Sequence, residues 1–182
     1  GVSGFQVHIG RKHVNTPGDF ADVLVAMNPA AIRANARSLT KDSTIIYDID
    51  NFTEKSILRA GYQSDPFAED KLDTLNLIGA PITSLVKEAL KDMDIDPKTV
   101  LRTKNMFALG IVYWLFDSKL KYTEEFIEDK FGKKPLIAEA NSRVLKAGYY
   151  YAETIEALTP SYHVSPAPIE KGVYRNINGN QA

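Results

Sequence analysis

The sequence predicts an α/β fold, an open and mainly parallel sheet with helices on both faces. Three observations carry that prediction. From Asp19 the chain enters the apolar run Ala21 to Met27, which stops at Asn28-Pro29. An apolar run bounded by turn signals reads as a strand buried in a parallel sheet. A second run, Thr44 to Ile49, is rich in β-branched residues, which favour strands. Helical patterns alternate with both runs, as in strand–helix–strand units.

Taken in order, Phe5 to Ile9 alternates apolar and polar residues and suits an edge or half-buried strand. Lys12 to Gly18 reads as a loop, Ala21 to Met27 as a strand and Pro29 to Leu39 as a helix. Asn28 can cap that helix, and Pro29 at its first position needs no amide hydrogen. Thr44 to Ile49 is the next strand. Thr53 caps a short helix closing at Gly61. Gln63 to Asp73 is polar and turn-like, and Leu75 to Ile78 a short strand. Ile82, Leu85, Val86, Ala89, Leu90 and Met93 form a helical stripe. Asp96-Pro97 opens a long helix through about Phe116. Thr123 caps Glu124 to Phe131, which ends at Gly132, and Pro135 opens a last helix to about Leu158. Residues 159–173 hold Pro160, Pro166 and Pro168 without periodicity and read as an extended connector.

Composition sets outer bounds. With 182 residues, 44% of them hydrophobic, one substantial core and one main domain are expected. A formal net charge of −1 and no long basic run argue against a nucleic-acid surface. Zero cysteines exclude disulfides, thiolate nucleophiles and iron–sulfur ligation by this chain, and fit a cytoplasmic protein. No secretion leader is evident. The longest nearly apolar run, Met106 to Phe116, falls short of the ~20 residues a bilayer needs. No membrane association is expected, and Trp114 within that run is expected to be largely buried.

Catalytic motifs are missing. Neither G-x-G-x-x-G nor G-x-x-x-x-G-K-[ST] occurs, so the expected sheet is Rossmann-like without the dinucleotide fingerprint. Asp48-x-Asp50-Asn51 superficially resembles a metal loop. Phe52 and Thr53 break the calcium pattern, and a strand end followed by a helix cap is the favoured reading. His8, His13 and His163 lack a second ligand pair, and Ser84 and Ser142 lack elbow glycines. No catalytic or metal-binding residue is assigned. Tyr149-Tyr150-Tyr151 reads as packing rather than ligand stacking. Arg33, Arg37 and Lys41 look like the solvated side and end of the first crossover helix.

The loop at Asn28-Pro29 stands at a strand's carboxyl end, the ligand side of open α/β sheets. Lys104-Asn105 has two readings. Lys104 is a solvated residue and Asn105 bonds a neighbouring loop, or the pair faces a shared active-site region near Asn28.

Six segments resemble one family in its own order. They are Thr16 to Ala31, Ser43 to Tyr47, Ala80 to Thr83, Lys104 to Gly110, Glu139 to Asn141 with Lys146 to Tyr149, and Tyr174 to Ala182. Together they resemble the gamma-type domain of 2-oxoacid:ferredoxin oxidoreductases, in the form fused to the front of the alpha subunit. That resemblance implies an enzyme converting a 2-oxoacid and coenzyme A to acyl-coenzyme A and CO2 while reducing ferredoxin. It implies a gamma-type domain over 1–158, the connector over 159–173 and the start of a pyrimidine-binding domain over 174–182. The family's first βα unit is then missing ahead of Gly1.

Thiamine diphosphate, magnesium and iron–sulfur clusters are expected in the whole enzyme, and none of them on this chain. The implied partners are the remaining alpha-subunit domains, the beta subunit and, through the complex, ferredoxin. Asn28, Pro29, Lys104 and Asn105 are the residues expected near the coenzyme A or substrate entrance. Two other readings stay open: a stand-alone module that binds an anionic ligand at Asn28 and the helix amides, and a purely structural assembly domain.

Overall fold

The structure is a computed structural model that describes residues 3–10, 14, 16, 18–155, 162–165, 168, 170, 172 and 173. Three strands, β1 (Ala21–Ala26), β2 (Leu39–Asp48) and β3 (Asn76–Ala80), form a parallel sheet in the order β1-β2-β3. The ladder is regular from Val23 opposite Thr44 to Ala26 opposite Tyr47, and Thr44 to Asp48 pair with Asn76 to Ala80.

Before Val23 the register shifts, because Ala21 faces Leu39. The buried Ser43 hydroxyl bridges the irregularity, donating to the Ala21 carbonyl at 2.7 Å and accepting from the Thr40 amide at 2.9 Å.

Neighbouring residues of β2 serve opposite faces. Ile45 packs with Ala26, Ile32, Tyr62, Phe67 and Leu72 beneath α1 (Pro29–Asn35), α2 (Glu54–Arg59) and α3 (Pro66–Glu69). Ile46 packs with Ile78 and Ala80 under α4 (Ile82–Ala89), α6 (Lys104–Leu115) and α8 (Pro135–Thr154). Helices therefore cover both faces, as the alternation predicts.

The α6–α8 crossing brings backbone against backbone. A Cβ at Gly110 would overlap the Leu145 carbonyl oxygen, and one at Gly148 the Phe107 carbonyl oxygen. Gly61, at φ 88°, ends α2 in a conformation that glycine adopts without strain.

Several boundaries differ from the prediction. Phe5 to Ile9 is not a strand; its apolar side chains are exposed, while Gln6 and His8 reach the carbonyls of Gly18 and Thr16. Alternation makes a strand only where a partner completes the ladder. Helix α1 stops at Asn35, whose side chain turns back to the Ala31 carbonyl at 2.8 Å, and a 3-10 turn over Ala36–Ser38 leads into β2. Such side-chain bonds compete with helix continuation. Lys41 consequently lies in β2 and not at a helix end.

The segment 63–73 contains α3, capped by Asp65. The expected long helix from Pro97 is two helices, α5 (Pro97–Arg102) and α6, divided at the buried Thr103. Its hydroxyl donates to the Val100 carbonyl at 2.8 Å, and tight three-residue turns flank it. Thr123 lies inside α7 (Lys121–Phe131) instead of capping it, and its hydroxyl meets the Tyr113 hydroxyl at 2.6 Å.

Trp114 is largely buried, as expected, and stands edge-on to Tyr149 with ring centroids 5.4 Å apart. Tyr151 packs on Phe107 and Tyr150 is exposed. Helix α8 ends at Thr154, where Ile155 turns extended, short of the expected Leu158, and the segment 174–182 lies outside the described residues. The described residues of the connector carry no helix or strand, and Tyr162 among them stacks on Phe116 at 4.8 Å.

Candidate functional site

In a parallel sheet all strand carboxyl ends share one edge, so Asn28 after β1, Asp48 at the end of β2 and Pro81 after β3 emerge on the same side. Asn28 is extended, at φ −167°, and its Oδ1 accepts from the Ala31 amide at 3.0 Å. Pro29 is buried at the first position of α1. The predicted cap is therefore made, and it occupies the side-chain oxygen of Asn28.

Helix α4 starts without a capping side chain of its own, because Pro81 holds that place. The acids that follow β2 supply the missing acceptors. Asp48 Oδ1 accepts from the Thr83 amide at 3.2 Å, and Asp50 Oδ2 accepts from the Ser84 amide at 2.6 Å. Carboxylates at a helix amino terminus also oppose the positive end of its dipole. The favoured strand-end reading of Asp48-x-Asp50-Asn51 holds, though the helix capped is α4 and not the following one.

Asp48 is completely buried, and the centre of a polar network. Its Oδ2 accepts from the Thr83 hydroxyl at 2.7 Å and the Asn51 amide at 2.6 Å. Lys104 Nζ lies 3.6 Å from the same oxygen and donates to Thr83 Oγ1 at 3.2 Å. A buried carboxylate is tolerable only with such donors and a counter-charge.

Lys104 is therefore not a freely solvated residue. It joins α6 to the ends of β2 and α4, with 19% of its side chain exposed. Asn105, next to it in the first turn of α6, is exposed. The structure sets Asn28 and Lys104 on one edge, each bonded within its own cluster.

Sequence reasoning missed Asp48, Asn51 and Thr83 as partners of Lys104. One signal was available: a helix whose cap position is proline requires acceptors from elsewhere, and two acids stand at the preceding strand's end.

The other candidates form no site. An open cleft of about 540 Å3 is lined by Arg33, Ala36, Arg37, Glu69 and Asp70. Arg33 stacks on the Tyr62 ring and donates to the Gly61 carbonyl, so it is no simple solvated cation. Glu69 accepts from the amides of Gln63 and Ser64, which hold its pKa below the usual carboxylate range, and Asp70 accepts from Tyr62. Among the described residues, no group of three or more His, Asp or Glu side chains is placed to hold a metal ion. His163 stands beside Asp117 at the surface, and His13 lies outside the described residues.

Comparison with known proteins shows the family of this chain. Residues 1–151 match the family described as pyruvate ferredoxin/flavodoxin oxidoreductase. The chain belongs to that family. It is 41% identical over all 182 residues to the 2-oxoglutarate oxidoreductase subunit KorA of Mycobacterium tuberculosis, and spans 28% of that relative's length.

The fold of this family member also resembles that of a solved 2-oxoglutarate:ferredoxin oxidoreductase from Magnetococcus marinus, which has 2-oxoglutarate, coenzyme A and succinyl-CoA bound. The TM-score is 0.61 at 24% identity, over 86% of this chain and 24% of that one. No helix among the described residues is long and apolar enough to cross a membrane.

Proposed function

We propose that this chain is a non-catalytic, gamma-type domain of a 2-oxoacid:ferredoxin oxidoreductase. The whole enzyme converts a 2-oxoacid and coenzyme A to acyl-coenzyme A and CO2 and passes the electrons to ferredoxin. Family membership over residues 1–151 carries this reading. The relative at 41% identity makes 2-oxoglutarate the first substrate to test.

Thiamine diphosphate, magnesium and the iron–sulfur clusters belong to the remaining alpha-subunit domains and the beta subunit. A chain without cysteine offers no thiolate to a cluster. In this arrangement residues 1–158 form the domain, 159–173 connect it and 174–182 begin the next domain.

Within the assembly the strand carboxyl edge faces the catalytic domains, and Asn28, Pro29, Lys104 and Asn105 stand near the coenzyme A or substrate entrance. The convergence of the Asn28 cap and the Lys104 network on one edge supports this placement.

The test is Asn28→Ala in the full enzyme. Loss of a cap costs the helix about 1 kcal/mol. If the edge also meets a ligand, the KM for coenzyme A or the 2-oxoacid rises more than kcat falls. If neither constant moves in an assembled enzyme, the loop is only a cap. Titrating the isolated chain with nucleotides and coenzyme A tests the alternative of a stand-alone anion-binding module, and silence in both experiments favours a structural assembly domain.

A further inference from the structure

We propose that Asp48, Thr83 and Asn51 are positioning residues that hold Lys104 as a fixed cation for an oxyanion of a reactant at the strand carboxyl edge. The inference rests on the function proposed above and concerns the same edge.

The Thr83 hydroxyl has a single proton, and it goes to Asp48 Oδ2 at 2.7 Å. Its oxygen is then an acceptor for Lys104 Nζ at 3.2 Å and, more weakly, for Asn51 Nδ2 at 3.4 Å. With that direction fixed, Lys104 is the donor to Thr83 Oγ1. The fully buried Asp48 carboxylate lies 3.6 Å from the same nitrogen.

An ammonium carries three N–H groups. One is spent on Thr83 and another points toward Asp48. The third has no acceptor among the described residues, although part of the side chain reaches solvent.

Asp48 accepts hydrogen bonds from the Thr83 amide, the Thr83 hydroxyl and Asn51, and Lys104 stands 3.6 Å away as its counter-charge. Held on two sides, the cation loses little conformational freedom when an anion arrives, which is the condition for a preorganised contact. The ligand chemistry is an oxyanion. It comes from one of two sources, the carboxylate of the 2-oxoacid or a phosphate of coenzyme A.

The experiment uses the complete enzyme with its partner subunit and measures KM for the 2-oxoacid and for coenzyme A separately. Lys104→Met keeps the apolar stem and removes the charge. We expect one of the two KM values to rise about tenfold, with kcat within about twofold, as for a lost charge-assisted hydrogen bond. The constant that moves names the source.

Thr83→Val, which frees Lys104 without removing it, raises the same KM, and Thr83→Ser restores it. Should Lys104→Met fail to assemble, the Thr83 pair is read in the same way. Unchanged KM values in an assembled Lys104→Met enzyme, or in Thr83→Val, overturn the inference and leave a structural network. If Asn28→Ala still raises a KM in that case, the proposed function of the edge stands; if it too is silent, both readings fall.

Discussion

At the residue scale, Trp114 and Asp48 each carry a stability prediction. Trp114 sits in the most apolar stretch of the chain and is largely buried against Tyr149. Asp48 is an acid at a strand end yet fully enclosed. Deleting a large aromatic from a core costs about 3–5 kcal/mol, so Trp114→Ala should cost about 3 kcal/mol, the low end of that range, read as a shift in urea midpoint at constant slope. An unchanged midpoint would contradict its burial.

For Asp48→Ala the larger penalty is expected. Thr83, Asn51 and Lys104 all lose their common acceptor. Breaking a buried charge network typically costs about 3–5 kcal/mol. A melting temperature equal to that of the unchanged protein would contradict the network.

At the element scale, the crossing of α6 and α8 is the most demanding contact in the fold. Gly110 and Gly148 each face the backbone of the other helix, where rigid peptide atoms cannot step aside as a flexible side chain would. Gly110→Ala therefore strains the crossing in spite of alanine's better helix propensity. Overpacking of this kind costs about 1–3 kcal/mol or more, whereas Gly→Ala in an open helix gains about 1 kcal/mol. Equilibrium unfolding of Gly110→Ala gives the sign directly, and a stabilised variant would show that the helices can separate at no cost.

The break between α5 and α6 has a comparable cause. Propensity alone favours one helix from Pro97 to Phe116, but Thr103 is buried and bonded to Val100, and the turn sets Lys104 against Asp48.

At the scale of the whole molecule, two predictions apply. The isolated chain should show no 2-oxoacid-dependent dye reduction, since it carries neither cysteine nor a dinucleotide fingerprint. Turnover by the purified chain, free of other subunits, would refute the domain assignment.

The second prediction concerns alkaline pH. Burial, then the hydrogen bond to Asp70, pushes the Tyr62 phenol well above the ordinary tyrosine range, and burial also raises Tyr149 and Tyr151. A group whose folded pKa is raised releases its proton first from the unfolded chain. The stability it contributes is thus complete below about pH 10 and declines as pH climbs from there toward the folded value. Ultraviolet titration should show some of the nine tyrosines ionising only as the fold opens, with the melting temperature falling above about pH 10. A single ionisation step near pH 10 with an unchanged melting temperature would contradict this.

What the sequence determined by itself was the material with short-range causes. The apolar run of β1, the β-branched core of β2, the Asn28 and Thr53 caps and the stripe of α4 all follow from periodicity and local hydrogen bonding. So do the fold class and the placement of Asn28 at a strand's carboxyl end.

Tertiary structure decided what depends on partners distant in the chain. Phe5 to Ile9 has strand alternation but no neighbouring strand among the described residues, and its apolar side chains are exposed. Thr103 ends a helix that its neighbours would continue, because burial rewards its bond to Val100. Asp48, Thr83 and Lys104 lie 35 and 21 residues apart along the chain and meet only when β2, α4 and α6 converge. The energy of such a cluster resides in desolvation and mutual hydrogen bonding, and neither exists until the chain has folded around it.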